Sequence, residues 1–156
     1  MRLFITDVDG VWTDGRIEVH ADGSESITFH VHDGLGVRLL QEAGLEIAVI
    51  SGRKVAAVEH RLRAMDIHEL HLGVLEKGPL AARLREERGL AVEEIAAMGD
   101  DVLDLPMFAQ AGFSLAPATA LEEVRRQADY TTRHPAGGGA LREACDLLLA
   151  AARRKS

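Results

Sequence analysis

The segment DVDG at 7–10 places two aspartates at the end of an apolar run that begins at Leu3. Asp7 and Asp9 are two positions apart, so both leave an extended strand on the same side, and Gly10 permits a sharp turn beyond them. Carboxylates paired in this way can bind a cation or supply a nucleophile. The same residues also suit a simple Asp-rich turn, so the pair needs support from the rest of the chain.

A second acidic cluster occurs in the segment GDDVLD at 99–104, which contains Asp100, Asp101 and Asp104. Helix capping is the simplest interpretation, but a cap needs only one aspartate. Bringing these carboxylates close to Asp7 and Asp9 costs about 4 kcal/mol for each pair about 4 Å apart, at an effective dielectric constant near 20. A divalent cation with oxygen ligands would offset that repulsion, and Mg²⁺ fits best.

Two other segments favour an anion. Ser51, Gly52 and Arg53 lie between an apolar run at 45–50 and a helical pattern, where a hydroxyl and free backbone N–H groups can receive phosphate oxygens. Lys77 begins another helix, because a proline two residues later favours the first helical turn. A cation at the start of a helix interacts unfavourably with the helix dipole, at a cost of about 0.3–1 kcal/mol that a bridging anion would offset. The alternative is that Lys77 is a surface residue that tolerates this cost.

Together these groups indicate phosphoryl transfer. The sequence has no Gly-x-x-x-x-Gly-Lys-Ser/Thr loop, and the segment 34–36 lacks the third glycine of a dinucleotide-binding motif, so we interpret it as a helix-entry turn. With a carboxylate at the centre, an aspartyl-phosphate intermediate is the economical mechanism.

The elements that position these groups alternate between strands and helices. This order predicts a Rossmann-like α/β fold, a parallel sheet with helices on both faces. Ligands of such sheets bind beyond the carboxyl ends of the strands, so the acidic and phosphate-binding segments should meet there. Strands are predicted at 3–8, 45–50, 94–98, 112–116 and 129–132, and a helix closes the chain.

One stretch, about 15–31, breaks the alternation. Apolar residues recur at every second position on both sides of a turn at 21–23, which predicts a protruding β-hairpin. Its apolar face and open edges need cover, which we expect another subunit to supply; the alternative is that the hairpin folds back on its own domain. His30 and His32 would share one strand face, and without a third ligand they favour a surface or interface over a metal site.

Composition narrows the class of protein. The chain has 156 residues, 47% apolar and 4% aromatic, and its 18 basic and 25 acidic side chains give a net charge of −7. We expect a single domain over 1–156 and no nucleic-acid partner, because few aromatic rings are present and the net charge repels polyanions. Cys145 is the single cysteine and no apolar run approaches about 18 residues, which predicts a cytoplasmic protein with no membrane span.

The order of these motifs resembles the haloacid dehalogenase (HAD) superfamily of phosphatases over nearly the whole chain. Within that superfamily, the segments DVDGVWTDG at 7–15, SGRK at 51–54 and GGGALRE at 137–143 look like the 3-deoxy-D-manno-octulosonate 8-phosphate (KDO 8-phosphate) phosphatases. The resemblance implies a HAD-like fold and a Mg²⁺-dependent phosphatase of lipopolysaccharide sugar biosynthesis. The chain should be capless, since the hairpin is far below the roughly 40 residues that a separate core needs.

The resemblance also implies roles for the site residues. Asp7 would attack phosphorus, and Asp9 would protonate the departing sugar oxygen and then activate water. The phosphoryl oxygens would be held by Ser51, Gly52 and Lys77.

The implied metal site uses the same edge of the sheet. Mg²⁺ would be bound by Asp7, the backbone carbonyl of Asp9 and Asp100. Asp101 and Asp104 would steer Lys77 and the water shell of the metal.

The substrate implied by the resemblance is a small phosphorylated sugar acid, with Arg53 and Arg142 as partners of its carboxylate. The chain departs from the family pattern at His30, His32 and Leu35, where asparagine, arginine and tyrosine are common, which leaves a sialic-type 9-phosphate or another phosphosugar as an alternative. Related enzymes that act on those nine-carbon acids tend to have glutamate at the Arg53 position. The arginine in this chain therefore favours the eight-carbon acid.

The resemblance further implies a homotetramer assembled through the hairpins, with the glycine-rich segment and helix at about 137–153 near the site. An alternative of another class is a non-catalytic phosphate-sensing or assembly module. Receiver domains of that kind carry the phosphorylated aspartate after a middle strand and lack a second aspartate equivalent to Asp9.

Overall fold

A computed structural model describes residues 1–153 of the chain. In chain order the elements within that range are β1 (Leu3–Thr6), β2 (Glu18–Val19), β3 (Glu25–Ser26), α1 (Val31–Glu42), β4 (Glu46–Ser51), α2 (Ala56–Arg63), β5 (Glu69–Leu72), α3 (Lys77–Glu87), β6 (Ile95–Met98), α4 (Leu105–Phe108), β7 (Phe113–Ala116), α5 (Glu122–Gln127), β8 (Tyr130–Thr131) and α6 (Ala140–Arg153), with short 3₁₀ turns at Val92–Glu94 and Val102–Asp104. Six of these strands form one sheet in the order β5-β4-β1-β6-β7-β8, and every neighbouring pair is parallel.

The central strand β1 is buried on both faces, so its alternating side chains enter two separate cores. Phe4 packs into the core that contains residues of α1, α2 and α6, whereas Leu3 and Ile5 pack into the core that contains residues of α3, α4 and α5. This arrangement confirms the predicted α/β class with helices on both faces. Among residues 1–153 no helix has both the length and the apolar character to cross a membrane.

The edge strand β5 is an element that the sequence pattern did not predict. Its four residues are all half-buried, and Glu69 and His71 alternate with two leucines. Arg88 ties the strand to its neighbour by pairing with both Glu69 and Glu46 of β4. A short, polar edge strand carries too weak an apolar signal to stand out in the sequence.

The hairpin prediction is confirmed only for its central part. β2 and β3 pair antiparallel, but the pairing ends at Ser26, and Val31 already begins α1. Between them Ile27 and Phe29 pack against the core, where the ring of Phe29 meets Trp12 edge-on at 6.4 Å. The predicted extension of the hairpin to residue 31 is therefore wrong, because burial of these side chains takes the chain away from its hairpin partner.

The predicted strand face for His30 and His32 is wrong for the same reason. His30 is the N-cap of α1, and its Nδ1 accepts the backbone N–H of His32 at 3.3 Å. The two rings stack edge-to-face with centroids 4.9 Å apart. His30 and His32 therefore lie at the start of α1 and not on one face of a strand.

The segment 34–36 lies inside α1 and is not the helix-entry turn that we predicted. A Cβ on Gly36 would come within 2.9 Å of Arg142 Cδ and 3.1 Å of Cys145 Cβ, so glycine here permits close packing of α1 on α6. Beside it the buried Asp33 accepts the backbone N–H groups of Gly139 and Arg142 at 3.4 and 2.8 Å. Asp33 thus caps α6 from a neighbouring helix.

Glu143 joins the first turn of α6 to the chain that leaves β8. Its carboxylate accepts the Tyr130 hydroxyl at 2.8 Å and the backbone N–H groups of Arg133 and His134 at 3.0 and 3.2 Å. Burial would raise the pKa of Glu143, but these hydrogen bonds and that of the His134 ring outweigh it and lower the pKa to about 2. The ionised carboxylate therefore stabilises the fold.

We expect Glu143→Gln to lower the free energy of unfolding by about 2–3 kcal/mol at pH 6. Because the pKa is depressed in the folded protein, this contribution is complete above the ordinary pKa of 4.5 and is lost as the pH falls towards about 2. Urea unfolding of both proteins at pH 6 and pH 3 should show the difference shrinking by roughly half at the lower pH. Glu122→Gln, in an exposed pair with Arg126, is the control; a Glu143→Gln difference that is equal at both pH values contradicts this prediction.

Candidate active site

Asp7 follows β1, which lies between β4 and β6. Its backbone N–H continues the sheet pairing by donating to the carbonyl of Met98 at 3.0 Å, so the aspartate is fixed at the carboxyl edge of the sheet. The residue is only 7% exposed. Burial, followed by the nearby charge of Asp104, raises the pKa of Asp7 to about 7, although Lys77 acts in the opposite direction.

Lys77 enters the same edge from the first turn of α3, and its side chain is 3% exposed. Its Nζ lies 2.9 Å from Asp7 Oδ2 and 2.6 Å from Asp104 Oδ1. Burial opposes the charge of the ammonium group, but the two carboxylates outweigh that effect and raise the pKa of Lys77. The lysine is therefore a fixed positive charge and not the surface residue of the alternative interpretation.

Asp104 is fully buried and fixes both Lys77 and the loop after β6. While Oδ1 receives the lysine, Oδ2 accepts the backbone N–H groups of Asp100 and Asp101 at 2.9 and 3.1 Å. Gly99 makes room for this arrangement, since a Cβ there would lie 2.3 Å from the Cβ of Asp104. Asp101 itself caps the 3₁₀ turn at Val102–Asp104 by accepting the N–H of Leu103.

The carboxylates of Asp7, Asp100 and Asp104 each offer an oxygen within 4.8 Å of the others. Asp7 Oδ1 is buried and, within residues 1–153, has no hydrogen-bond partner. Burial and the charges of Asp104, Asp7 and Asp101, in that order, raise the pKa of Asp100 to about 7. A buried unpaired oxygen amid mutually repelling carboxylates has the character of a site for a hard cation such as Mg²⁺.

Gly10 is the reason that Asp100 can approach the first aspartate pair. The residue adopts φ +77°, and a Cβ at this position would lie 2.0 Å from Asp100 Oδ2. Any other residue would therefore push the Asp100 carboxylate out of the cluster.

The segment predicted to bind phosphate lies at the end of β4. Ser51 is 2% exposed, and its Oγ accepts the backbone N–H of Arg53 at 3.3 Å. Gly52 and Arg53 line a cavity of about 280 Å³. The predicted residues that share its lining are Asp7, Asp9, Lys77, Asp100 and Asp101.

One contact in this region was not foreseen from the sequence. Arg53 Nη1 donates to Asp9 Oδ1 at 3.3 Å, while Nη2 donates to a carboxylate oxygen of Glu25 in β3. The hairpin therefore contributes directly to the site. No sequence pattern pairs Glu25 with an arginine 28 positions further along the chain.

Arg142 does not line this cavity. Its Nε pairs with Asp146 at 2.9 Å, and it lines another cavity of about 380 Å³ together with Tyr130 and His134. The glycine-rich segment itself does lie beside the first motif, since a Cβ on Gly137 would come 2.5 Å from the backbone N of Asp14. A role for Arg142 in substrate binding stays a prediction.

The chain is similar to known proteins along its length. A family model described as haloacid dehalogenase-like hydrolase matches residues 73–143. The 3-deoxy-D-manno-octulosonate 8-phosphate phosphatase of Haemophilus influenzae is 39% identical over 156 residues, which are 100% of this chain and 87% of that protein. The chain belongs to this phosphatase family. The relative from Escherichia coli K12 is 42% identical over 97% of this chain and 80% of its own length.

Solved structures of the KDO 8-phosphate phosphatase family match the fold. The Moraxella catarrhalis enzyme, in complex with magnesium, phosphate and KDO, has a TM-score of 0.93 and 36% identity over 97% of this chain and 87% of that one. The cobalt-bound Haemophilus influenzae enzyme has a TM-score of 0.93 and 39% identity over 97% and 89% of the two chains. These matches confirm the predicted family and the HAD-like fold.

Proposed function

We propose that the protein is a Mg²⁺-dependent phosphatase that hydrolyses 3-deoxy-D-manno-octulosonate 8-phosphate to the free sugar acid and inorganic phosphate, in lipopolysaccharide sugar biosynthesis. The observation that carries this function is the convergence of Asp7, Lys77 and Asp100 on one cavity, where a buried oxygen of Asp7 has no hydrogen-bond partner among residues 1–153. It occurs in a chain that is 39% identical over its full length to a phosphatase of this name.

In the first step a carboxylate oxygen of Asp7 attacks phosphorus and forms an aspartyl-phosphate, while the bond between phosphorus and the sugar oxygen breaks. Asp9 gives its proton to that departing oxygen. Lys77 is held against Asp7 at 2.9 Å, where its charge can offset the negative charge of the phosphoryl oxygens. Ser51 and Gly52 supply the remaining donors at the end of β4.

In the second step Asp9 takes a proton from water, and the water oxygen attacks phosphorus. The bond between Asp7 and phosphorus breaks, which restores the carboxylate and releases phosphate. The same residue thus acts first as an acid and then as a base, and the proton balance of the cycle closes.

Mg²⁺ would be held by Asp7, the backbone carbonyl of Asp9 and Asp100, and when bound it supplies positive charge next to the phosphoryl group. The unpaired oxygen of Asp7 supports this ligand set. Asp104 lies in the same cluster, but Lys77 and two backbone N–H groups already occupy its oxygens. We therefore assign it, with Asp101, to positioning.

We also propose that Arg53 receives the carboxylate of the sugar acid and that copies of the chain associate through the hairpin as a homotetramer. Exposed apolar side chains support the association, since Ile17 and Val19 at the hairpin are 50% and 64% exposed and Val31, at the start of α1, is 72% exposed. Light scattering measures the mass of the particle and tests the assembly. A cytoplasmic location stays a prediction.

The function is tested by phosphate release from a panel of monophosphates, with Mg²⁺ and after its removal by EDTA. We expect KDO 8-phosphate to be preferred by at least about tenfold in kcat/KM over a sialic-type 9-phosphate and over neutral sugar phosphates, a difference of about 1.4 kcal/mol. EDTA should abolish turnover, and added Mg²⁺ should restore it. Equally slow hydrolysis of every compound contradicts the proposed substrate, and metal-independent turnover contradicts the proposed cofactor.

A further inference from the structure

Arg53 stands at the junction of two cavities. One is the cavity of about 280 Å³ that contains Asp7, and the other, of about 580 Å³, lies between the turn of the hairpin and the start of α2. Arg53 and its neighbour Lys54 both line the second cavity, together with Glu25. A substrate whose phosphate rests at Asp7 would therefore lie in a cavity that Arg53 also lines.

Two carboxylates fix that guanidinium group. Nη1 donates to Asp9 at 3.3 Å, and Nη2 donates to Glu25. All three side chains are partly shielded from water, with exposed fractions of 31% for Arg53, 24% for Asp9 and 30% for Glu25. Within residues 1–153 these bonds use two of the five N–H groups of the arginine and leave the other three for an incoming carboxylate.

We propose that Glu25 is a positioning residue that holds Arg53 in its orientation before substrate binds. Glu25 thereby determines specificity for phosphorylated substrates that also carry a carboxylate. This inference rests on the proposed function and extends it to a residue of the hairpin. An arginine has several rotatable bonds, and a binding site that must first order such a side chain loses affinity. Glu25 removes that cost, because the planar guanidinium group is already fixed from two sides.

Glu25 belongs to a hairpin whose own strand pairing is short. β2 and β3 form only two residue pairs, Glu18 with Ser26 and Val19 with Glu25, so their own ladder is minimal. The ion pair with Arg53 links β3 to the end of β4 across 28 positions of sequence. This one ion pair therefore fixes both the position of the hairpin and the orientation of Arg53.

The test compares Glu25→Gln with wild type on KDO 8-phosphate and on glucose 6-phosphate, a monophosphate whose sugar carries no carboxylate. We expect KM for the sugar acid phosphate to rise about three- to tenfold, with kcat within about twofold, because the orientation of Arg53 is lost. KM for glucose 6-phosphate should not change, since its sugar presents no carboxylate to the guanidinium group. Glu18→Gln removes the same charge from the exposed strand β2 and should leave both KM values unchanged.

The double variant Glu25→Gln with Arg53→Ala separates positioning from a general effect on the hairpin. If Glu25 acts through Arg53, the double variant should have the KM of Arg53→Ala alone. An equal rise of KM for both substrates, a further rise in the double variant, or no change in Glu25→Gln overturns the inference while the proposed function stands. A wild-type enzyme without any preference for sugar acid phosphates overturns the proposed function and this inference with it.

Discussion

Asp7→Asn should lower phosphate release from the preferred substrate by roughly 10³- to 10⁶-fold, because the variant has no nucleophile to form the aspartyl-phosphate. The amide that replaces the carboxylate has almost the same shape but cannot attack phosphorus. It also removes a charge from the cluster with Asp100 and Asp104, whose oxygens lie within 4.8 Å. Phosphate release under saturating Mg²⁺ measures the effect.

The folded state of this variant should survive. Lys77 keeps its 2.6 Å contact with Asp104, and the buried carboxylate that repelled its neighbours is gone. The melting temperature should therefore stay within a few degrees of wild type, measured by circular dichroism. Asp66→Asn is the matched control, because it removes an exposed carboxylate from a turn at φ +59°, which asparagine tolerates. Full activity in Asp7→Asn would refute the aspartyl-phosphate step.

Asp104→Ala should lower the free energy of unfolding by about 3–5 kcal/mol, which corresponds to a melting temperature lower by about 10 °C. The substitution leaves the buried ammonium group of Lys77 with Asp7 alone, and it deprives the N–H groups of Asp100 and Asp101 of their acceptor. Urea unfolding measures the change. Turnover should also fall by at least about 10²-fold, because Lys77 and the loop after β6 lose their alignment.

Two further variants separate the contributions of Asp104. Asp104→Asn keeps an oxygen acceptor for the backbone N–H groups but loses the ion pair with Lys77, so its loss of stability should lie between that of the alanine variant and wild type. Asp101→Ala removes a carboxylate of the same loop that caps only a 3₁₀ turn, and should cost about 1 kcal/mol. Equal losses of stability in Asp104→Ala and Asp101→Ala contradict the role assigned to Asp104.

Much of the site was predictable because its residues follow strands at short, regular spacing. Asp7 directly follows β1, Asp100 follows β6 after a single glycine, and the carboxyl ends of parallel strands share one edge of the sheet. The structure brings these two aspartates together with Lys77 and Asp104. Asp7, Asp100 and Asp104 form one carboxylate cluster, and Lys77 contacts Asp7 and Asp104. Their order in the chain was enough to expect this convergence.

The start of α1 could not be predicted in the same way. Alternation over 27–31 has the period of a strand, yet Phe29 packs beside Trp12 and Val31 begins a helix. The helix start is fixed by partners far along the chain, since Asp33 accepts the N–H of Arg142, 109 positions later. A local pattern contains no information about such a partner.

The sequence by itself determined the α/β class, the order of the acidic segments and of the segments predicted to bind phosphate, and the expectation of phosphoryl transfer, because period, turn residues and spacing act over a few neighbouring positions. Only the tertiary structure decided that Glu25 meets Arg53, that Gly36 admits α6, and that Arg142 lies outside the cavity of its own chain. These contacts join residues far apart in sequence, and they depend on how closely whole elements pack. Packing is a property of the assembled fold, so no single segment specifies it.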